Sequence, residues 1–238
     1  MDLGLLLANI AIAFGSVVQG ISGVGGGFIM VPLLALIDMS LLPGPFIFAS
    51  LSLSSLMAWR ERSAIDFTNT GAFLIAIVPG ALMGAWLVSK VAPDNLGIVF
   101  GGVLLFAVAI SAAGVHLPLN RYTATISGIT AGAMGASSGI GAPVVAVLYQ
   151  RESGPRVRST LAYIYTIASV LILIALAIFD RFSWQDAQAG LQLVPGFLFG
   201  YICSRPLALH FDHGATRYIV LTVSGLAAVI LLVNSIGW

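Results

Sequence analysis

Charge is scarce in this sequence. Asp, Glu, Lys and Arg supply 8% of its 238 residues, against about 25% in a soluble domain, which excludes a water-soluble globular protein. Cysteine is nearly absent (Cys203 alone) and there are three histidines, His116, His210 and His213. That excludes a disulfide scaffold and a Cys/His metal centre, so no metal and no cofactor is expected. A net charge of +1 gives no basic stripe of the kind that nucleic acid needs. Met1-Asp2 lacks a basic leader region, so a cleaved signal peptide is not expected. Long polar linkers are missing too.

What is present is apolar: 59% of residues are hydrophobic and the mean hydropathy is +1.04. The runs are too long and too numerous for a buried core. Charges and turn residues divide them into elements at about 3–21, 24–37, 44–59, 70–90, 95–117, 121–136, 140–150, 159–179, 186–206 and 214–236. The charges sit at the edges of these runs, as in Arg60-Glu61-Arg62, Lys90, Arg151-Glu152 and Asp180-Arg181. Helices are the default, because open strands would leave backbone groups unpaired in lipid.

A shift of 116 residues superposes the punctuation of the chain on itself. Ser22, Gly23 and Gly25 fall on Ser138, Gly139 and Gly141, and Pro79, Gly80 and Gly84 fall on Pro195, Gly196 and Gly200. The expected fold is therefore an all-α polytopic membrane protein of two repeats, 1–117 and 118–238, in one membrane domain. Each repeat has a broken or re-entrant first element followed by three membrane helices. Parallel repeats would divide the Lys and Arg residues six against four between the two faces. Inverted repeats would place Arg60, Arg62, Arg121, Arg151, Arg156, Arg158, Arg205 and Arg217 on one face and only Lys90 and Arg181 on the other. The second division fits the positive-inside rule better, so the repeats are read as inverted, with both termini outside.

The breaks lie in "SGVGGG" (22–27) and "SSGIGAP" (137–143). Inverted repeats with discontinuous helices place substrate near the midplane, between half-helix termini. Free N–H groups and a partial positive charge at such a terminus attract an anion. The candidate substrate-binding set is Gln19, Ser22, Gly23, Gly25 and Gly26 from the first break, with Ser137, Ser138, Gly139 and Gly141 from the second. The broken backbone would then be satisfied by ligand and water in a cavity. Small residues also serve close helix packing, and that is the preferred reading of Gly80 with Gly84 and of Gly196 with Gly200. Ser50 and Thr166, related by the same shift, either line the pathway or bond their own backbone. Tyr163 and Ser169 are spaced to join Thr166 on α-helical turns.

Three decoys fall away. "GASSG" (135–139) matches a serine-hydrolase elbow but lacks the strand-to-helix turn and a partnered histidine. "GVGGG" fails as a dinucleotide fingerprint, because Phe28 occupies the last glycine position. Asp38 reads as interfacial.

The motifs "GxSGxGGGxxxxP" (20–32), "GxxxxxSGIGAP" (132–143) and "RSTLAYIYTIAS" (158–169) resemble the TauE/SafE family of membrane permeases, also called the toluenesulfonate uptake permease family. The resemblance covers nearly the whole chain, with Ala142 standing where the family usually has glycine. It implies about eight helices, a bacterial inner-membrane location and export of sulfite or organosulfonates by a secondary carrier rather than an enzyme. An intramembrane enzyme, an anion channel and an accessory membrane subunit are the competing classes. The expected partners are a small anion and the lipid bilayer; a homodimer is compatible with the sequence. No ionisable side chain falls mid-span, so export driven by membrane potential is expected in place of proton coupling.

Overall fold

The computed structural model describes residues 3–68, 70–92, 95–113, 118–149 and 154–207, with pieces of the last segment at 225–226, 229–230 and 232–233. His116, His210, His213, Gln150, Arg151, Arg217 and most of the 214–236 element lie outside the described residues. Nine α-helices are described: α1 Leu3–Ser22, α2 Gly26–Ile37, α3 Gly44–Arg60, α4 Thr70–Lys90, α5 Leu96–Ala112, α6 Arg121–Ser138, α7 Ala142–Tyr149, α8 Gly154–Ile178 and α9 Trp184–Leu207. No strand occurs among the described residues. α1, α4 and α8 (from Pro155) are each long and apolar enough to cross a bilayer.

Local chemistry accounts for the helix ends. Asn120 opens α6 with a capping box: its side chain accepts from the Thr123 N–H at 2.9 Å, and the Thr123 hydroxyl accepts from the Asn120 N–H at 3.2 Å. α8 begins at Gly154, about five residues before the apolar run does, and so carries Arg156 and Arg158 in its first turns. Pro155 sits at its second residue, where a missing N–H breaks no helical bond.

Helix directions follow from the contacts. Along α1 and α9, Asn9 meets Gln192 and Gly196 while Gly20 faces Ser204, so the two run parallel. α4 and α6 are parallel as well: Gly128 faces the Phe73 carbonyl and Gly84 faces the Ala133 carbonyl. α3 runs with α9, because Gly190 faces the Pro45 carbonyl and the Tyr201 hydroxyl reaches the Leu56 carbonyl at 3.4 Å. Glu61, at the end of α3, meets Arg158 near the start of α8, so those two are antiparallel. Asp66, just before α4, meets Thr160 and Arg156, which aligns α4 with α8. α2 folds back on α1, its Gly26 carbonyl and Met30 side chain lying against Gly15.

The glycine pairs work as packing seams. A Cβ on Gly80 or Gly84 would collide with the Ile129 or Ala133 carbonyl of α6, and one on Gly200 with Ser16 of α1. Backbones therefore touch across these crossings, the arrangement that small residues permit in lipid. Around them runs one buried core containing Phe73, Phe100, Phe197, Leu34, Leu53 and Leu161. Ile10, Phe14, Ile75, Met83, Trp86, Phe199 and Ile202 point outward from the same helices, a face that only lipid would favour over water. This is a multi-pass helical membrane protein.

Candidate functional site

Both breaks use one backbone device. α1 ends at Ser22 and passes through Gly23 at φ 81°; α6 ends at Ser138 and passes through Gly139, also at φ 81°. Left-handed backbone of this kind belongs to glycine. The Ser22 hydroxyl has two carbonyl acceptors in reach, Val18 at 2.8 Å and Val24 at 2.5 Å, and accepts from the Val24 N–H at 3.3 Å. The Ser138 hydroxyl donates to the Met134 carbonyl at 2.9 Å and accepts from the Ile140 N–H at 3.3 Å. Each of these atoms is the 116-residue mate of its counterpart. The two hydroxyls thus close their own helix ends, and their protons are already engaged.

Several other sequence candidates are occupied in the same way. Ser50 donates to the Ile47 carbonyl at 2.8 Å, Thr166 to Ala162 at 2.8 Å, and Ser137 to Met134 at 3.2 Å. Gly23 backs onto Arg158, where a Cβ would stand 3.1 Å from the arginine Cα. Gly25 takes φ 90° at the start of α2, and Gly26 lies under the Gln19 side chain. Ser22, Gly23, Gly25, Gly26, Ser137, Ser138 and Thr166 do not line the central cavity.

That cavity, of about 80 Å³, lies among α1–α4 and α6–α8 and its lining carries no charged side chain. Room for one water needs about 10–15 Å³ on the same measure, so it admits several waters or one small polyatomic ion. From the sequence candidates it brings together Gln19, Ser50, Gly139 and Gly141, with Gly27 from the first break and Ala142 from the second. Ser54 and Ser169 join them, and Phe46, Phe73, Ile77 and Ile172 supply apolar wall.

Tyr165 is the residue that sequence reasoning missed. It lines the cavity, and its phenol oxygen is buried without a hydrogen-bond partner. A buried tyrosine hydroxyl normally finds a partner, and an unmade bond costs about 1–3 kcal/mol. The available signal was spacing: Tyr165 stands four residues before Ser169, hence on its helix face. Tyr163 points elsewhere, its ring 5.5 Å from that of Phe67.

The polar groups along the lining are neutral: the Gln19 amide, the Tyr165 and Ser169 hydroxyls, and the backbone around Gly141 and Ala142. Such a set can coordinate an oxyanion through hydrogen bonds while leaving it free to depart, because no buried counter-charge holds it. Among the described residues no cluster of His, Cys, Asp or Glu could hold a metal ion.

The model of one protein family, described as sulfite exporter TauE/SafE, matches residues 8–231. No curated protein and no solved structure matches the chain.

Proposed function

The chain belongs to the sulfite exporter TauE/SafE family, and on that premise we propose that it is a secondary carrier exporting small sulfur-containing oxyanions, sulfite or organosulfonates, through the central cavity. The observation that carries this reading is the unpartnered Tyr165 hydroxyl in a cavity without charged lining. A bound oxyanion supplies the missing acceptor, and Gln19, Ser169 and the backbone at Gly141 supply further donors.

Inverted repeats are part of the proposal. Their support is that α1 and α6, mates in the 116-residue register, run in opposite senses, as do α3 and α8. Arg60, Arg156 and Arg158 gather at one end of the bundle. Arg181 bonds the Ser89 and Val91 carbonyls on either side of Lys90, both at 3.2 Å. Placing the Arg-rich end in the cytoplasm of a bacterial inner membrane follows the positive-inside rule. An anion leaving a negative-inside cell then gains about 2.3 kcal/mol per charge per 100 mV, roughly fortyfold in gradient.

Sulfite efflux from proteoliposomes at a clamped potential tests the reading. Saturable, voltage-driven efflux is expected. Flux that never saturates indicates a pore, flux that follows ΔpH and ignores voltage removes the electrogenic mechanism, and none with sulfite or any sulfonate leaves the enzyme or subunit classes. Tyr165→Phe is expected to weaken sulfite binding about tenfold, the worth of one hydrogen bond to an anion, with the fold intact. Unchanged affinity would remove the cavity as the site.

A further inference from the structure

Arg60 and Glu61 close α3, and Arg158 opens α8; their three side chains converge, with only 15%, 16% and 9% of each exposed. Arg60 Nη2 lies 3.0 Å from Glu61 Oε1, and Arg158 Nη2 and Nε lie 2.9 and 3.2 Å from the same oxygen. One carboxylate thus faces two guanidiniums. All three bonds fall on a single oxygen, leaving Glu61 Oε2 and Arg60 Nη1 buried without partners. Arg60 also points at the Gly20 carbonyl at 3.5 Å and lies 5.5 Å from the centre of the Tyr201 ring.

The place of this cluster matters. Glu61 stands seven residues beyond Ser54, and Arg158 seven residues before Tyr165, two helical turns along the cavity-lining faces. Their mates in the other repeat are Leu176, Ala177 and Leu42, of which Leu176 and Leu42 are buried. The trio at one end therefore has apolar mates, while Arg181 and Asp186 stand near those mates at the opposite end.

We propose that Arg60 and Arg158 form an oxyanion-binding site at the basic mouth of the carrier, occupied in this state by the Glu61 carboxylate. The inference deepens the carrier reading and rests on it for the identity of the anion. Paired guanidiniums match an oxyanion through several N–H bonds at once. The net positive charge of the trio draws an anion from solution, and the anion displaces Glu61 from the arginines. That displacement parts α3 from α8 and opens the way to Tyr165. Export starts at this end, so the paired arginines load the carrier, and Leu176 and Leu42 stand where a matching arginine pair would hold the departing anion.

Sulfate binding to the purified full chain in detergent, measured by calorimetry, tests the mouth without requiring transport. Glu61→Gln is expected to tighten sulfate about tenfold, the worth of one freed bond to a charged group, and adding Arg158→Gln to abolish the gain. If Glu61→Gln does not fold, Glu61→Asp, which withdraws the carboxylate by one methylene, is expected to give a smaller gain in the same direction. Equal sulfate binding by wild type and variants, or none by any, makes the trio a structural ion pair and overturns the proposal. So does saturation of the site by phosphatidylglycerol in the micelle, since a lipid headgroup is then the ligand. Tyr165→Phe is expected to keep the sulfate gain of Glu61→Gln while lowering sulfite flux, so the mouth and the central cavity can fail separately.

Discussion

The two helix breaks share their backbone and differ in what surrounds it. Ser22 and Ser138 share a bond to the carbonyl four residues back and one from the N–H two residues on, Ser22 adding the Val24 carbonyl, and Gly23 and Gly139 take the same φ. Around the first break stand Arg158 and, beyond it, Arg60 and Glu61. Around the second stand the Phe46 ring and Val31. The second also gives the cavity Gly139, Gly141 and Ala142, whereas the first gives it Gln19 and Gly27. Positions 116 residues apart share the element that depends on backbone geometry alone, while side chains set the surroundings of each break. A carrier with a direction needs ends that differ.

Alanine at the two left-handed glycines tests that comparison most severely. At Gly23 the new methyl meets Arg158 backbone at 3.1 Å; at Gly139 it meets the edge of the Phe46 ring, also at 3.1 Å. Left-handed backbone costs about 1–2 kcal/mol for a non-glycine residue, and forced overpacking about 1–3 kcal/mol. Gly23→Ala is expected to lose about 3 kcal/mol and Gly139→Ala about 2 kcal/mol, because a ring tilts more readily than a helix backbone shifts. Thermal unfolding in detergent measures both, and equal losses would mean that the local backbone, not its neighbours, sets the cost.

The serine caps come next in size. Ser138 is fully buried while Ser22 is half-buried, so water can replace the lost hydroxyl only at the first break. Ser138→Ala is expected to cost about 1–2 kcal/mol and Ser22→Ala less than about 1 kcal/mol. Neither is expected to change sulfite affinity. A selective loss of affinity with unaltered melting would return these hydroxyls to the binding site.

Much of the fold was legible in the sequence. Apolar runs and their punctuation locate α3, α4 and α9 within about two residues, and the repeated Ser-Gly-x-Gly places both breaks. What the runs could not carry is where side chains point. Ser22 and Ser138 look like ligand donors until their hydroxyls are seen engaged with backbone carbonyls, Val18 and Val24 for the first and Met134 for the second. Tyr163 and Tyr165 are both aromatic in one apolar run, and only the helical phase separates them. Arg60, Glu61 and Arg158 read as interfacial charges because each stands at the edge of a run. Their convergence depends on α3 and α8 being antiparallel neighbours, a fact absent from any single run.

The smallest effect concerns a latch outside the membrane. Asp66 accepts from the Thr68 N–H at 2.9 Å and from Arg156 at 2.6 Å, while its own N–H donates to Thr160 at 2.9 Å. Hydrogen bonds from Thr68, side chain and backbone, together with Arg156 beside it, hold the Asp66 carboxyl below its ordinary 3.8, against a smaller opposing effect of burial. A depressed folded value means that the latch contributes stability above about pH 3.8 and loses it as pH falls through the folded value. Asp66→Asn is expected to cost about 0.5–1 kcal/mol at pH 7, as a partly exposed pair does. Melting curves at pH 7 and pH 3 check it: the difference between variant and wild type should shrink at the lower pH.

The glycine seams have a mechanical consequence. α4 is bound backbone to backbone with α6, and α1 is keyed to α9, so each tight pair takes one helix from each half of the chain. Side chains at an ordinary helix contact can slide by changing rotamer, but touching backbones have no such slack. The units that can swing as rigid levers are therefore not the two halves that the sequence repeats. They are the cross-paired bodies, α4 with α6 and α1 with α9.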